Sequence, residues 1–320
     1  MTKPLNWGIL GSAKFAYEHM GPAIHAARGA RLAALATSSS EKFTQFSDKF
    51  GELHHHDSYD ALLADDGIDA VYIPLPNSLH VEWGLRALEA GKHVLIEKPV
   101  AMKANEINAL IEARDRTGLM ATEAYMIVHH PQWQRAKALL AEGAVGMLRQ
   151  VLCAFSFDNQ DPNNIRNQSD LGGGALPDIG VYALGCARFA TGAEFEDISA
   201  QIEWERGVDT FSRVQARISG AEYCGYVSTR LQPFQEVRFH GDAGVLRLSA
   251  PFNPNVYGMA QIELQQGGET RLERFPAENH YINQVEAFCA AVRDGAAYPW
   301  SLEDAKGTQA TIDAVYAAAG

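Results

Sequence analysis

The feature that most constrains this chain is a rhythm: over residues 1–123, apolar runs of strand length alternate with segments of helix length. The runs are Leu5 to Leu10, Arg31 to Thr37, Ala70 to Pro74, His93 to Glu97 and Met120 to Glu123. A run that is apolar throughout suits a strand buried on both faces, and strands separated by helical crossovers pair in parallel. These residues are therefore predicted to form an α/β unit: a doubly wound parallel sheet whose ligand crevice lies beyond the carboxyl ends of its strands.

Past residue 123 the pattern changes. A helical stretch over Gln132 to Glu142 precedes alternating runs at Ser199 to Glu205, Glu236 to Phe239, Val245 to Leu248 and Gln261 to Leu264. Alternation marks strands with one face buried. The turn signals Gly241-Asp242-Ala243-Gly244 and Gln266-Gly267-Gly268-Glu269 suggest hairpins. Two helical patterns close the chain, Asn279 to Asp294 and Ser301 to Ala319, the second opened by Ser301 with Asp304 three residues on. The expected division is the parallel-sheet domain over 1–123 and an α+β domain over 124–320 with a largely antiparallel sheet. Helices on one face of such a sheet leave the other to be covered, and a second copy of the chain is the expected cover, in a dimer or tetramer.

A length of 320 residues suits two domains. Lys and Arg number 27 against 39 Asp and Glu, and both parts are acidic: 12 positive and 16 negative groups over 1–123, 15 and 23 over the rest. Nucleic acid and anionic membrane surfaces, which call for basic patches, are not expected partners. No apolar run approaches the roughly 18–20 residues of a membrane helix, and MTKPLNWGIL leads into a strand with no signal-peptide core, so a cytoplasmic location is expected. Cys153, Cys186, Cys224 and Cys289 are widely spaced, which suggests reduced thiols and neither a zinc site nor a disulfide framework.

The stretch Gly8-Ile9-Leu10-Gly11-Ser12-Ala13-Lys14-Phe15-Ala16 follows the first strand and opens a helix. A dinucleotide fold needs small residues there so that backbone N–H groups can approach a pyrophosphate. Gly11, Ala13 and Ala16 occupy the glycine positions of the fingerprint, the middle one lacking its glycine; the alternative is a tight turn with ordinary packing. Where the second strand ends, a carboxylate would accept from the ribose 2′-hydroxyl of NAD. Instead stand Thr37, Ser38 and Ser39, with Lys42 one turn on, a set suited to the 2′-phosphate of NADP unless the serines only cap the next helix. NADP is the expected cofactor, with NAD kept open. Pro74, Leu75, Pro76 and Asn77 form the loop after another strand, where Asn77 and backbone would meet ribose or nicotinamide; His80 either joins them or anchors the following helix.

Glu97-Lys98-Pro99 lies at a strand's carboxyl end. Lys98 there is either a solvated partner of Glu97 or the group that orients a substrate hydroxyl and lowers a neighbouring acid's pKa; Pro99 fixes the backbone, in a cis or a trans bond. Gly172 to Tyr182, GGGALPDIGVY, reads as a flexible turn followed by a helix that presents Asp178 and Tyr182 on one face. A phenol titrates near ~10, so acid–base work by Tyr182 needs a cation, for which Lys98 is the candidate. Their plainer readings are a helix-dipole partner and a core aromatic. Arg166 is either an exposed loop residue or a contact of the carboxamide or of a substrate hydroxyl. His54, His55 and His56 alternate in direction along a strand, cannot share one metal ion and read as a polar sheet edge. Tyr281 reads as core packing or as a residue reaching the crevice.

Taken in order, GILGSAKFA, VYIPLPNSLH, EKP, ATEAYM, DPNNIR and GGGALPDIGVY resemble the glucose-fructose oxidoreductase, inositol dehydrogenase and rhizopine-catabolism family of NAD(P)-dependent oxidoreductases over nearly the whole chain. The resemblance implies a Rossmann domain followed by an open-sheet α/β domain with substrate between them, catalytic residues Lys98, Asp178 and Tyr182, and a cofactor site that includes Glu97, Lys98 and Arg166. Tyrosine at 182 resembles the branch with xylose dehydrogenase and dihydrodiol dehydrogenase. The chain departs from the pattern after Met126, where Val128 stands in place of a usual arginine. The expected function is a dehydrogenase or reductase acting on CH–OH groups of a sugar, polyol or cyclic diol. The rival is a non-catalytic NADP(H)-binding sensor or regulator, which would have no need of Lys98, Asp178 and Tyr182 together.

Overall fold

The computed structural model describes residues 3–254 and 256–319. It contains two units, one made of the chain up to His129 with Asn279–Lys306, the other of His130–Glu278 with the chain from Gly307 on. The return of 279–306 to the first unit has no counterpart in a division at 123.

The first unit is built on six strands: β1 (Leu5–Leu10), β2 (Ala30–Ala36), β3 (His54–His56), β4 (Ala70–Ile73), β5 (His93–Ile96) and β6 (Ala121–Glu123). All pair in parallel, in the order β3-β2-β1-β4-β5-β6. This is the doubly wound sheet expected from the rhythm, and its strand order reverses between β1 and β4, the topological switch point at which such sheets bind ligands. Helices α1 (Gly21–Ala26), α2 (Ser40–Phe50), α3 (Tyr59–Leu63), α4 (His80–Glu89) and α5 (Ile107–Thr117) connect the strands. Alternate residues of each strand feed two cores. Leu10, Val71, Ile73, Val94 and Ile96 pack with Ala87 and Leu110, whereas Trp7, Ile9, Leu35, Tyr72 and Leu95 pack with Ile24, Phe46 and Phe288. Each fully buried large side chain of this kind is worth about 1.5–3 kcal/mol, which is why neither face tolerates polar alternation. Small residues set the helix-to-sheet spacing: a Cβ on Gly8 would lie 2.7 Å from Leu62 of α3, and one on Gly84 of α4 2.7 Å from Ile96. The three histidines form the short edge strand β3, as their alternation implied.

In the second unit, α6 (Pro131–Ala141) precedes β7 (Leu148–Asp158), and α7 (Val181–Thr191) precedes β8 (Phe195–Glu205), β9 (Val208–Ile218), β10 (Ala221–Ser228), β11 (Arg230–Gly241), β12 (Val245–Leu248), β13 (Gln261–Gln266) and β14 (Glu269–Arg274). The eight strands form one sheet in the order β14-β13-β12-β11-β7-β10-β9-β8, antiparallel except for the β7–β10 pair. Both expected hairpins form, β11–β12 and β13–β14. α7 packs on β7, β9 and β10, and α6 packs on β13. Pro233 lies within β11 where the pairing with β7 shifts register, the place a strand accepts a residue without an N–H.

The chain ends with α8 (His280–Asp294), which covers the Trp7 face of the first sheet, and α9 (Leu302–Ala318). α9 opens on the expected capping box: Asp304 N–H donates to Ser301 Oγ at 3.1 Å while Asp304 Oδ2 accepts from the Ser301 N–H at 2.8 Å. No helix among the described residues is long and apolar enough to cross a membrane.

Candidate active site

Four loops leave the carboxyl ends of neighbouring strands in the first unit. After β1, Gly11 takes φ +95°, a backbone conformation that a residue with a Cβ rarely adopts, and donates its N–H to the Ala36 carbonyl at 2.9 Å. Ser12 and Ala13 are half-exposed. Lys14 is exposed and makes a loose ion pair with Glu18 at 3.7 Å, and Phe15 packs edge-on to Tyr281, 5.6 Å between centroids. Tyr281 thus packs on the helix after the glycine turn. After β2, Thr37 is buried, its Oγ1 lying 3.2 Å from Ser12 Oγ, so the first two loops are joined through hydroxyls. Ser39 caps α2 by accepting from the Lys42 N–H, while Ser38 and Lys42 stay exposed. Capping and phosphate binding were alternative readings of these serines; Ser39 is committed to the cap and Ser38 is not.

After β4, Pro74 and Leu75 are buried and Asn77 is half-exposed. His80 is fully buried, with Nδ1 2.8 Å from the Pro99 carbonyl oxygen and Nε2 2.8 Å from that of Leu75. It is therefore the anchor of its loop: both ring nitrogens face backbone, so none is left for a cofactor contact. Burial lowers its pKa to about 4, with Lys98 adding to the effect against the two carbonyls.

After β5, Glu97 accepts from the Tyr72 hydroxyl at 2.6 Å and from the Lys98 N–H at 3.2 Å, and the Lys98–Pro99 bond is cis. Lys98 itself is half-buried. Beside it, at the end of β6, the Glu123 carboxylate is buried, accepting from the Val100 N–H at 3.0 Å and from Trp300 Nε1 at 2.9 Å. Burial pushes its pKa up to about 7, against the pull of these donors.

In the second unit, Pro177 starts a widened helical turn, Leu176–Gly180, that runs into α7 and carries Asp178 and Tyr182. The turn is tied at its start by a second buried carboxylate: Asp209 accepts from the Leu176 N–H at 2.7 Å, from the Ser212 hydroxyl at 3.2 Å and from the Tyr316 hydroxyl at 2.7 Å. Gly174, at φ +131°, leaves room for it, since a Cβ there would run into the Asp209 carboxylate. Arg166 Nε donates to Asp178 Oδ2 at 2.5 Å, and the carboxylate raises the guanidinium's pKa further. The loop arginine is thus held by the helix rather than loose in solvent. Tyr182 is buried, its ring 6.0 Å from that of Phe155 and 5.7 Å from that of Phe252.

The profile described as "Oxidoreductase family, NAD-binding Rossmann fold" matches residues 5–125, and the "GFO/IDH/MocA C-terminal domain" matches 133–247. The chain belongs to the GFO/IDH/MocA oxidoreductases. Among curated members, it is 34% identical to D-xylose 1-dehydrogenase (NADP(+)) 2 of Haloferax volcanii, over 98% of this chain and 97% of that one. It is 32% identical to a dTDP-3,4-didehydro-2,6-dideoxy-alpha-D-glucose 3-reductase of Actinomadura kijaniata, over 98% and 95%. A crystal structure of a 3-ketoreductase from Actinomadura kijaniata with NADP and TDP-benzene superposes with a TM-score of 0.90 at 30% identity, covering 99% of this chain and 98% of that one. A GFO/IDH/MocA chain with these relatives is an NAD(P)-dependent oxidoreductase, and the sensor reading is not favoured. What sequence reasoning missed is the support: Glu123, Asp209 and Tyr72 touch the segments that carry Lys98 and Asp178, and Trp300 holds Glu123. The one signal for Glu123 was a carboxylate ending an otherwise apolar strand.

Proposed function

We propose that this protein moves a hydride between C4 of NADP and a carbon bearing hydroxyl or carbonyl on a sugar, polyol or cyclic diol. The observation that carries the reading is Lys98 at the carboxyl end of β5, in the row of loops that holds the Gly11 turn. The donor chemistry fits the dinucleotide: a glycine of left-handed φ after β1 lets backbone approach a pyrophosphate, and exposed Ser38 and Lys42 beside buried Thr37 suit a 2′-phosphate where no carboxylate ends β2. When bound, the nicotinamide accepts or gives the hydride. Gly11, Ser12, Ala13, Lys14, Phe15, Pro74, Leu75, Asn77 and Glu97 complete the assigned cofactor site, with His80 acting through the loop it anchors.

Tyr182 is assigned the proton: in alcohol oxidation its phenolate takes it from the substrate hydroxyl, in reduction the phenol returns it. Lys98 is assigned the cation that stabilises the phenolate. Asp178 either holds Lys98 or binds a substrate hydroxyl; its bond from Arg166 supports the second, with the pair as one polar clasp. Four free cysteines support action in the reducing cytoplasm.

The test is absorbance of reduced nicotinamide with NADP and separately NAD over a panel of aldoses, polyols and cyclic diols. Turnover with NADP and a pyranose or diol is expected. Lys98→Met should lower kcat by about 10³-fold or more while NADPH binding holds; retained turnover removes the lysine from the mechanism.

A further inference from the structure

The Pro99–Val100 peptide is gripped at both ends. Its carbonyl oxygen lies 2.8 Å from His80 Nδ1, and its N–H donates to Glu123 Oε1 at 3.0 Å. Both gripping groups are buried, and each is held in turn: His80 Nε2 faces the Leu75 carbonyl at 2.8 Å, and Glu123 Oε2 accepts from Trp300 Nε1 at 2.9 Å. One chain of polar contacts therefore runs from the loop after β4, through the peptide that follows Lys98–Pro99, to the indole of Trp300. Trp300 is itself fixed by stacking on Tyr125, 4.4 Å between centroids.

We propose that Glu123 and His80 are positioning residues for Lys98, clamping the adjacent peptide so that the lysine stands in one place, and that the clamp needs Glu123 as a carboxylate. The inference rests on Lys98 being the charged group of the reaction, as argued above.

The chemistry of the clamp makes it sensitive to protons. A carboxylate with two N–H donors is satisfied as the anion, while burial and the negative charge of Glu97 disfavour that anion and the positive charge of Lys98 favours it. The balance puts the titration at about 7. Below that pH the carboxyl is neutral, the Val100 N–H loses its charged acceptor, and charge-assisted bonds are the stronger kind. His80 titrates at about 4 and stays neutral across the working range, so it has a single N–H to donate, and the clamp assigns that proton to Nδ1, facing the Pro99 carbonyl. The groups facing Glu123 are thus Glu97 and Lys98 from the end of β5, the Val100 N–H, and the Trp300 indole; Tyr72 acts one step away through Glu97.

A misplacement of about 1 Å in a catalytic group costs about 10²-fold in rate, which sets the scale of the effect. The experiment has two arms. In the first, the Val100 amide is followed by ¹⁵N–¹H correlation spectroscopy of the full chain between pH 5.5 and 8.5. The resonance is expected to titrate with a midpoint near neutrality, to be flat in Glu123→Gln, and in Trp300→Phe, which removes one donor and keeps the carboxylate, to titrate at higher pH. A Val100 amide that does not move in the wild type overturns the proposal, as does a midpoint unchanged in a folded Trp300→Phe.

In the second arm, kcat and KM are measured with NADP and whichever of D-xylose and D-glucose the wild type turns over faster. Glu123→Gln and His80→Ala are each expected to lower kcat about 10- to 100-fold, with KM for NADP within about threefold. His80→Gln, which keeps a donor toward Pro99, should recover part of the loss. The acid limb of log kcat should be less steep in Glu123→Gln, because the tyrosine's limb persists and the carboxylate's does not. A folded Glu123→Gln with wild-type kcat and pH profile overturns the proposal. Lys98→Met run in parallel keeps the two claims apart: full turnover in that variant sinks the catalytic reading, and the amide titration still decides whether the clamp exists.

Discussion

At the scale of single residues, choice of cofactor comes down to one charge. A carboxylate at the end of the second strand accepts from a ribose 2′-hydroxyl and repels a 2′-phosphate. Ser38 is the position at which to test this, because it is exposed and caps nothing, whereas Ser39 holds α2 and Thr37 is buried against Ser12. Ser38→Asp is expected to raise KM for NADP about 10- to 100-fold, the scale of one lost charge-assisted contact plus repulsion, and to leave KM for NAD unchanged or lower. Initial rates with each cofactor measure it; an unmoved KM for NADP would show that the phosphate is held elsewhere. The hydroxyls were legible in the sequence as a missing acid. The Ser12–Thr37 bond was not, because it joins residues 25 apart that only the parallel pairing of β1 with β2 brings together.

At the scale of elements, each functional segment has a buried carboxylate beneath it: Glu123 accepts from the Val100 N–H two residues after Lys98, and Asp209 accepts from the Leu176 N–H two residues before Asp178. Burial raises the pKa of both, a cost that goes into fixing backbone where chemistry is assigned. Gly174 shows how closely the second is fitted. Gly174→Ala would force an L side chain to φ +131° and press its Cβ against the Asp209 carboxylate, so it should lower stability by about 1–3 kcal/mol or more, read as a shift of the urea midpoint at constant slope. An unchanged midpoint would mean that the turn relaxes freely and that Asp209 does not hold it. Sequence reading found the glycines, the proline and the Asp178–Tyr182 pair, since these are local. Asp209 was invisible because it acts across 33 residues from the start of a strand. The same limit explains why β10 went unread and β11 was read only from Glu236: β10 holds Gly225 and β11 holds Pro233, residues of low strand propensity that tertiary pairing overrides.

At the scale of the molecule, the second sheet presents one face to α6 and α7 and leaves another to be accounted for. Cross-strand register lines up Arg247, Arg238, Leu152, Cys224 and Gln215 on that outer face, all half-buried or exposed. Its flanking charges are already matched, Glu236 accepting from Arg238 at 2.7 Å and pairing with Arg247 at 2.6 Å. Near the middle lies Leu152 on β7, and on the neighbouring strands β10 and β9 the Phe211–Tyr226 stack, 6.1 Å between centroids, extends the apolar area. An apolar centre with internally neutralised charge suits its own copy better than an acidic or basic partner, and two-fold pairing of one sheet face is self-complementary by symmetry. We therefore propose a homo-oligomer built on this face. Light scattering at micromolar chain concentration is expected to give at least twice 34.9 kDa. Leu152→Glu, which sets an unpaired charge at the centre of the face, should return the mass to that of one chain with the circular dichroism unchanged. A wild type that scatters as a single chain would reject the proposal, and a Leu152→Glu variant that stays assembled would place the interface on another surface.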